Sequence, residues 1–433
     1  MLTHRSATIL GDIPADWDRE LLGKLLDKQQ GGDWGDDAGE VAMRVLRSTN
    51  FTARGTLDFT DVAIRYFAVR ETVKMGLKDM DLLLERSGGG PTQPVGRIGF
   101  ITRDLPDHWF SNFVQLLRPD PTKVDPDFLG WVLLELNRSG VVERLQHQTT
   151  QMRNLDFRDY LRMYVPKPTP EVQKVIAHIL KLSNEALTDA EGKLTAARRL
   201  KTALMQHLFT RGVPGRHASS GHTKIGDIPQ TWEVLPLGKL ATVESGIALN
   251  SEREPRFHPH PYLTVINVHR EHLDLSDVRQ MEVLPHEIPN VLLEEGDIVA
   301  VEGHANAYEI GRAALISREA AGFAYQNHLF RIRLLQDAKL NRLFLLGVLN
   351  SERVRRHWVA TCNTSSGLNT INHRGLRRLL IQRPQMEEQE EIAWLLANSN
   401  DTIAACEAEI LALNRLRRSL LQNLLTGRVR MRI

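Results

Sequence analysis

A chain of 433 residues that repeats itself at half its own length has few ways to fold. Gly11-Asp12-Ile13-Pro14-x-x-Trp17 returns as Gly226-Asp227-Ile228-Pro229-x-x-Trp232, an offset of 215. Gly23-Lys24-Leu25 returns as Gly238-Lys239-Leu240, Gly96-Arg97 as Gly311-Arg312, and Ile101-x-Arg103 as Ile316-x-Arg318, all at that offset. Asn112 and Arg118 match Asn327 and Arg333, and Asp81-Leu82-Leu83 matches Asp297-Ile298-Val299 with one residue of drift. Pro168, Gln173, Ile176, Leu180 and Glu191 then match Pro384, Gln389, Ile392, Leu396 and Glu407 at 216, as do Leu204, Leu208 and Thr210 with Leu420, Leu424 and Thr426. So small a drift over half a chain marks a tandem duplication. Each half is long enough to bury its own core.

Both halves share a two-part anatomy. The first part, about 165 residues, mixes short β-like runs with turn signals. Strands are expected at 297–301, 313–316 and 98–101, and helices at Phe128 to Leu136 and Asn341 to Leu349, where apolar residues are continuous. Gly88-Gly89-Gly90-Pro91 and the polar stretch from Thr361 to Asn369 read as open loops. Between the shared landmarks the halves diverge: Phe51 to Arg70 has no obvious counterpart after Phe257. The fold class is α+β, an α/β domain with a mixed or antiparallel sheet followed by a long helix, occurring twice.

The long helices carry a heptad pattern. Leu180, Leu187, Leu194, Lys201 and Leu208 lie seven apart, beside Ile176, Ser183, Ala190, Ala197 and Leu204. The other half runs Leu396, Ile403, Ile410, Arg417, Leu424 beside Ile392, Ser399, Cys406, Leu413, Leu420. Register is kept for five heptads, including a polar break at Ser183/Ser399 and a cation at Lys201/Arg417. Pro170 can start the first helix, Gly212 and Pro214 end it, and Gly427 ends the second. The helices are expected to pair as an antiparallel coiled coil. Its seam would hold Ile176, Leu180, Leu187, Leu194 and Leu204 against Ile392, Leu396, Ile403, Ile410 and Leu420. About 40 residues make a rod of roughly 60 Å. The division is then 1–168 and 225–384 for the two domains, 169–212 and 385–427 for the helices, 213–224 for a linker and 428–433 for a tail.

Composition excludes several classes. Hydrophobic residues are 42% and charged residues 25%, a globular balance. No apolar run approaches the roughly 20 residues of a membrane helix, and no secretory signal opens the sequence. Cys362 and Cys406 are the only cysteines, so neither a disulfide framework nor a Cys-based zinc site is encoded. A cytoplasmic, metal-free chain is the expectation. No Gly-x-x-x-x-Gly-Lys-Ser/Thr loop and no His-Glu-x-x-His occurs. Asp125-Pro126-Asp127-Phe128 only faintly echoes the Asp-Pro-Pro-Tyr/Phe motif of adenine methyltransferases and sits at a helix start. Glu302-Gly303-His304 reads as a turn. The net charge of +2 conceals local blocks. From Ile247 to Gly311 four Arg face twelve acids, and from Arg312 to Arg383 thirteen cations face three acids. Such blocks suggest one acidic and one basic face on the second domain, and a basic face attracts phosphates.

The whole chain resembles the specificity subunit of type I restriction-modification enzymes. The resemblance rests on the twin Gly-Asp-Ile-Pro-x-x-Trp segments, the twin helices, and Pro384-Gln-Met-Glu-Glu-Gln389-Glu-Glu-Ile392-Ala393, which is similar to the family's Pro then Glu-Gln-x-x-Ile-Ala. Leu424-Leu-Thr-Gly-Arg428 is similar to its Leu-Thr-Gly-Lys ending. The first copy departs from the pattern: Val172 stands where Glu is usual, and Thr210-Arg211-Gly212 reverses the Gly-Arg order. The resemblance implies a non-catalytic subunit with two target-recognition domains, each reading half of a split double-stranded DNA site, and paired helices acting as a ruler. One turn of DNA spans about 34 Å, within reach of such a rod. It also implies two methyltransferase subunits docked on the helices and separate restriction subunits for translocation and cleavage. S-adenosylmethionine, ATP and Mg then belong to the partners, with no cofactor in this chain.

Base readout needs Arg, Lys, Asn, Gln or Ser/Thr on a positioned loop. The polar segment Gln148–Asn154 aligns with Thr364–Thr370, and each precedes a cation. Gln151, Arg153 and Arg158 are the DNA-contact candidates of the first domain, and Ser365, Ser366, Asn369 and Arg374 of the second. Arg97 and Arg312 fit a buried structural role equally well. Two alternatives stay open: a coiled-coil adaptor that binds proteins only, and the specificity subunit of a related phage-defence methylation system.

Overall fold

Leu82–Glu85 and Ile298–Val301 are buried at every position, as only a strand covered on both faces can be. Each is an inner strand of a four-stranded antiparallel sheet. The computed structural model describes residues 7–8, 10–89, 94–149, 152–365 and 367–430. The first sheet runs Leu26–Gly31, Val114–Pro119, Leu82–Glu85, Ile98–Phe100, and the second runs Ala241–Ser245, Leu329–Leu334, Ile298–Val301, Ala313–Leu315. The order of strands is the same in both.

Alternation along these strands makes two cores per sheet. Leu82 and Leu84 join Phe128, Val132 and Leu136 of the helix Pro126–Arg138 on one face, while Leu83 joins Met43, Val45 and Trp109 on the other. Ile298 and Ala300 join Phe344, Leu345 and Val348 of the helix Arg342–Leu349, and Val299 and Val301 join Leu263 and Tyr325. The helices begin on side-chain caps. Asp125 Oδ1 accepts from Phe128 N at 2.9 Å, and Asn341 Oδ1 from Leu343 N and Phe344 N at 2.9 and 3.1 Å. The Asp-Pro-Asp-Phe stretch is thus a helix cap with Pro126 at the first turn.

A smaller mixed sheet lies over the second face. Val41–Leu46 pairs in parallel with His108–Phe110 and antiparallel with Ala63–Phe67. Pro259–Leu263 pairs in parallel with Ala324–Tyr325 and antiparallel with Arg279–Glu282. The strand Ala63–Phe67, from a stretch without a sequence counterpart, therefore does have a topological one. Backbone pairing tolerates side-chain exchange that erases the sequence match.

The chain divides into two units, Met1–Gly192 with Ala408–Ile433, and Lys193–Glu407. The cut crosses both long helices, Pro170–Arg211 and Met386–Leu425. In the first unit Ile176, Ala177 and Leu180 share a core with Leu421, Leu424 and Leu425. In the second, Ile392 and Leu396 share a core with Leu208 and Phe209, and Leu204 packs against it. Ile176, Leu180, Leu187, Ile392 and Leu396 are buried; Leu194, Leu204, Ile403, Ile410 and Leu420 are half-buried. Gly212 and Gly427 close the helices at φ 74° and 64°, the left-handed conformation that glycine adopts without strain.

Three loop expectations are corrected. Gly88 and Gly89 belong to the strand Ser87–Gly89, Gly303-His304 is a strand and not a turn, and the stretch after Thr361 folds into the hairpin Asn363–Ser365 and Leu368–Thr370. Polar residues read as a loop when only side-chain polarity is weighed, yet a ladder of backbone hydrogen bonds needs no apolar face. Opposed charge blocks do not simply make opposed faces either. Arg312, Arg331 and Arg333 of the basic block reach Glu309, Glu244 and Asp297, so these charges meet within the domain.

Candidate nucleic-acid interface

In each domain the segment that opens it pairs with the strand that closes it. Asp18–Leu21 lies antiparallel to Tyr164–Lys167, and Glu233–Pro236 to Leu380–Arg383. The chain then enters its long helix, and a buried glutamine fixes the junction. Gln173 Nε2 donates to Pro168 O at 2.7 Å while its Oε1 accepts from Asp125 N at 2.8 Å. Gln389 Nε2 donates to Pro384 O at 2.9 Å and Lys339 O at 3.1 Å, and its Oε1 accepts from Asn341 N at 2.8 Å. Asp125 and Asn341 are the caps of the domain helices, so one amide ties the long helix to the start of the core helix. Sequence comparison marks these glutamines without giving this reason.

The neighbouring motif residue explains a departure between the copies. Glu388 takes Trp232 Nε1 at 2.9 Å, Val213 N at 3.0 Å and His217 Nε2 at 2.7 Å. It holds the tryptophan of the second Gly-Asp-Ile-Pro-x-x-Trp segment to the end of the first long helix. The first copy has Val172 at that position, and Trp17 packs there with apolar neighbours instead.

From this anchored base each domain extends a small three-stranded ladder. In the first, Met152–Leu155 pairs with Gln146–Thr149 on one side and Ser87–Gly89 on the other. In the second, Leu368–Thr370 pairs with Asn363–Ser365 and Gly303–His304. A short helix follows each ladder: Phe157–Leu161, capped by Asp156, and His373–Arg378, capped by Asn372. Tyr160 and Leu376 bury their side chains and pin these helices to the domain.

Arg153 is half-buried on the first ladder, opposite Gly89, and Arg158 is exposed on the helix after it. Arg374 is exposed on the equivalent helix of the second domain. Asn369 instead donates through Nδ2 to Ala305 O at 2.8 Å and His304 O at 3.3 Å, which pins the ladder together. Ser365 lies on the hairpin strand, with its side chain outside the described residues, and Gln151 and Ser366 lie outside them altogether. Arg97 is structural: it grips Glu85 at 2.6 and 2.8 Å and donates to Phe51 O and Ser48 O. Arg312 donates to Val265 O at 2.8 Å in the same manner.

Residues 229–415 match the family model for the type I restriction modification DNA specificity domain. The putative type I restriction enzyme MjaX specificity subunit of Methanocaldococcus jannaschii is 21% identical, over 98% of this chain and 96% of the relative. Residues 229–415 are thus a type I DNA specificity domain, and the whole chain is similar to type I specificity subunits. The StySPI specificity subunit of Salmonella potsdam is 22% identical over 80% of this chain and 73% of its own length. Among solved structures, the S subunit from M. genitalium superposes with a TM-score of 0.57 at 16% identity, covering 95% of this chain and 96% of that one. A chain from a structure on complex assembly and conformational transition of the type I R-M system superposes with a TM-score of 0.59 at 15% identity, over 96% and 100%. These two likenesses concern the fold.

Arg377 and Arg378 were not among the residues singled out from the sequence. With Arg374 they sit at i, i+3 and i+4, so three exposed cations share one face of a helix anchored by Leu376. The spacing is present in His373-Arg-Gly-Leu-Arg-Arg378.

Proposed function

We propose that this chain is the DNA sequence-recognition subunit of a type I restriction-modification complex. Each domain reads one half of a bipartite double-stranded site through its ladder and the basic helix that follows. The long helices pair antiparallel along the heptad seam, set the gap between half-sites, and dock two methyltransferase subunits, with restriction subunits joining them. The chain itself is not catalytic; S-adenosylmethionine, ATP and Mg serve the partner subunits.

One observation carries this reading. The same ladder and following helix occur once per unit, sharing the cation pairs Arg158/Arg374 and Arg162/Arg378 but differing beside them: Arg153 and Leu161 in one stand where Asn369 and Arg377 stand in the other. A duplicated scaffold with divergent tips is what reading two unlike half-sites requires, since phosphate contacts position while base contacts specify. A tandem duplication accounts for the shared strand order and the offset of 215–216.

Methylome sequencing of cells with and without the gene tests it directly. A bipartite motif should be methylated only when the chain is present. Binding of the assembled complex to that motif should weaken with salt at a log–log slope of several units. No difference between the methylomes, with a flat salt dependence, would favour a protein-only adaptor.

A further inference from the structure

The two units differ in how they break one stretch of chain. Residues 126–145 of the first unit form a thirteen-residue helix and then a five-residue 3-10 turn, Val141–Leu145. The matching residues 342–361 form an eight-residue helix and then a ten-residue one, Glu352–Thr361. That second helix carries Arg353, Arg355 and Arg356, whose counterparts at an offset of 216 are Asn137, Ser139 and Gly140.

These arginines wall a cavity of about 890 Å³ lined wholly by second-unit residues. Met205, Phe209 and Ile403 supply apolar surface, and Arg198, Lys201 and Arg270 add further cations. Three carboxylates answer the six cations: Glu407 pairs with Arg198, Glu271 with Lys201, and Glu352 with both Arg355 and Arg356. Among the described residues Arg353 meets only neutral acceptors, Gln382 Oε1 at 2.8 Å and Leu380 O at 3.2 Å, and Arg270 donates to Tyr308 O. Burial pushes Arg353 down to about 10 and lowers Arg270 as well. Arg353, held partly out of water with only neutral acceptors bonded to it among the described residues, is a cation whose burial an added anion would offset.

We propose that this cavity binds an organic phosphate of nucleotide size, its phosphates held by Arg353 and Arg355 and its apolar moiety against Met205 and Ile403. The volume lies in the range of about 300–1,000 Å³ typical of small-molecule sites. Guanidinium forks suit phosphate oxygens, and the amino end of the helix Glu352–Thr361 adds its dipole. Partners or half-sites present in two copies call for surfaces repeated in both units. Arginines found in one unit alone suit a ligand bound once per chain. The proposal stands apart from DNA reading and is testable without DNA.

Isothermal titration of the purified full chain with ATP, ADP, inorganic phosphate and hexaglutamate tests it. ATP or ADP should bind saturably at one site per chain, at least tenfold tighter than inorganic phosphate. Arg353→Met should weaken that binding tenfold or more. Since Arg353 also supports the strand beside it, Arg355→Gln, at a half-exposed position, is the second variant and should show a similar loss with an unchanged circular dichroism spectrum. Absence of saturable nucleotide binding, equal binding by Arg355→Gln, or tighter binding of hexaglutamate than of ATP would each overturn the proposal, the last in favour of an acidic peptide.

Discussion

Arg118 clasps Asp81 with two parallel hydrogen bonds, Nε to Oδ1 at 2.6 Å and Nη2 to Oδ2 at 2.7 Å, and Arg333 repeats the clasp on Asp297 at 2.7 Å twice. Both aspartates are buried, and each also accepts a backbone N–H three residues upstream, from Lys78 or Glu294, at 2.8 Å. A carboxylate at the start of the central strand is thereby tied to the neighbouring strand and to its own turn. The pair recurs because the geometry fixes both partners: a guanidinium fork matches a carboxylate edge and little else.

Arg118→Met should therefore leave Asp81 charged and poorly compensated. Breaking such a pair costs about 3–5 kcal/mol, and the partial exposure of Arg118 places this case toward the lower end. Urea unfolding of a chain with two units is expected to show two transitions, and only one of them should move. A shift of less than about 1 kcal/mol would mean that water replaces the arginine without penalty.

Much of this architecture was legible from residues alone. The long helices and the Pro170 start follow from spacing and helix chemistry, because apolar residues at helical spacing leave a periodic record. The ladders did not, since Gln146–Thr149 and Asn363–Ser365 are polar throughout and so leave no apolar alternation in the sequence. Asn369 illustrates the limit for the site: an asparagine that hydrogen-bonds bases and one that pins a strand to Ala305 O look the same in sequence. The exposed arginines after each ladder were half found: Arg158 and Arg374 align and so draw notice, whereas the second aligned pair, Arg162 and Arg378, and the unmatched Arg377, which aligns with Leu161 of the first copy, do not.

Lys201 and Arg417, equivalent cations of the two long helices, should respond oppositely to the same substitution. Lys201 Nζ meets Glu271, which also accepts from Asn400 Nδ2 at 2.8 Å. Glu271 holds φ +69°, and at an offset of 216 the first unit has Gly55 at φ +85°, with no carboxylate to offer. Arg417 is accordingly buried with Nε and Nη2 unpartnered among the described residues, and burial lowers its affinity for its proton. Arg417→Met should stabilise the first unit by about 1–2 kcal/mol, as apolar replacement of buried charge often does, while Lys201→Met should destabilise the second. Denaturation of the two variants side by side checks the signs, and equal losses would refute the assignment.

Acid should open the segment before Pro259 first. Glu282 is buried, which alone would raise its pKa. Backbone N–H groups of Arg256, His258 and Phe257 at 2.8, 2.7 and 3.0 Å prevail and hold it below the ordinary 4.5. With the folded pKa depressed, the stabilisation is complete above 4.5 and drains away as pH falls through the folded value. Limited proteolysis around Arg256 should accelerate below that range, and Glu282→Gln should already be susceptible at pH 7. A pH-independent cleavage rate in the native chain would contradict the sign.

If the helices are the ruler, their length sets the gap between half-sites. Four residues inserted after Ala190 and four after Cys406 lengthen matched heptad positions of both helices, so neither seam partner is left bulging. Each insertion adds about 6 Å along the axis and nearly restores the angular phase. On duplex DNA at about 3.4 Å per base pair that is close to two base pairs. The methylated motif should keep both half-sites and gain one or two base pairs between them. Single-residue insertions at the same places turn the helix by about 100° and should instead disrupt the packing of Leu187 and Ala190, both buried. Should the four-residue variant fold, assemble and methylate with the original spacing, the gap is set elsewhere, and the ladders alone decide where each half-site is read.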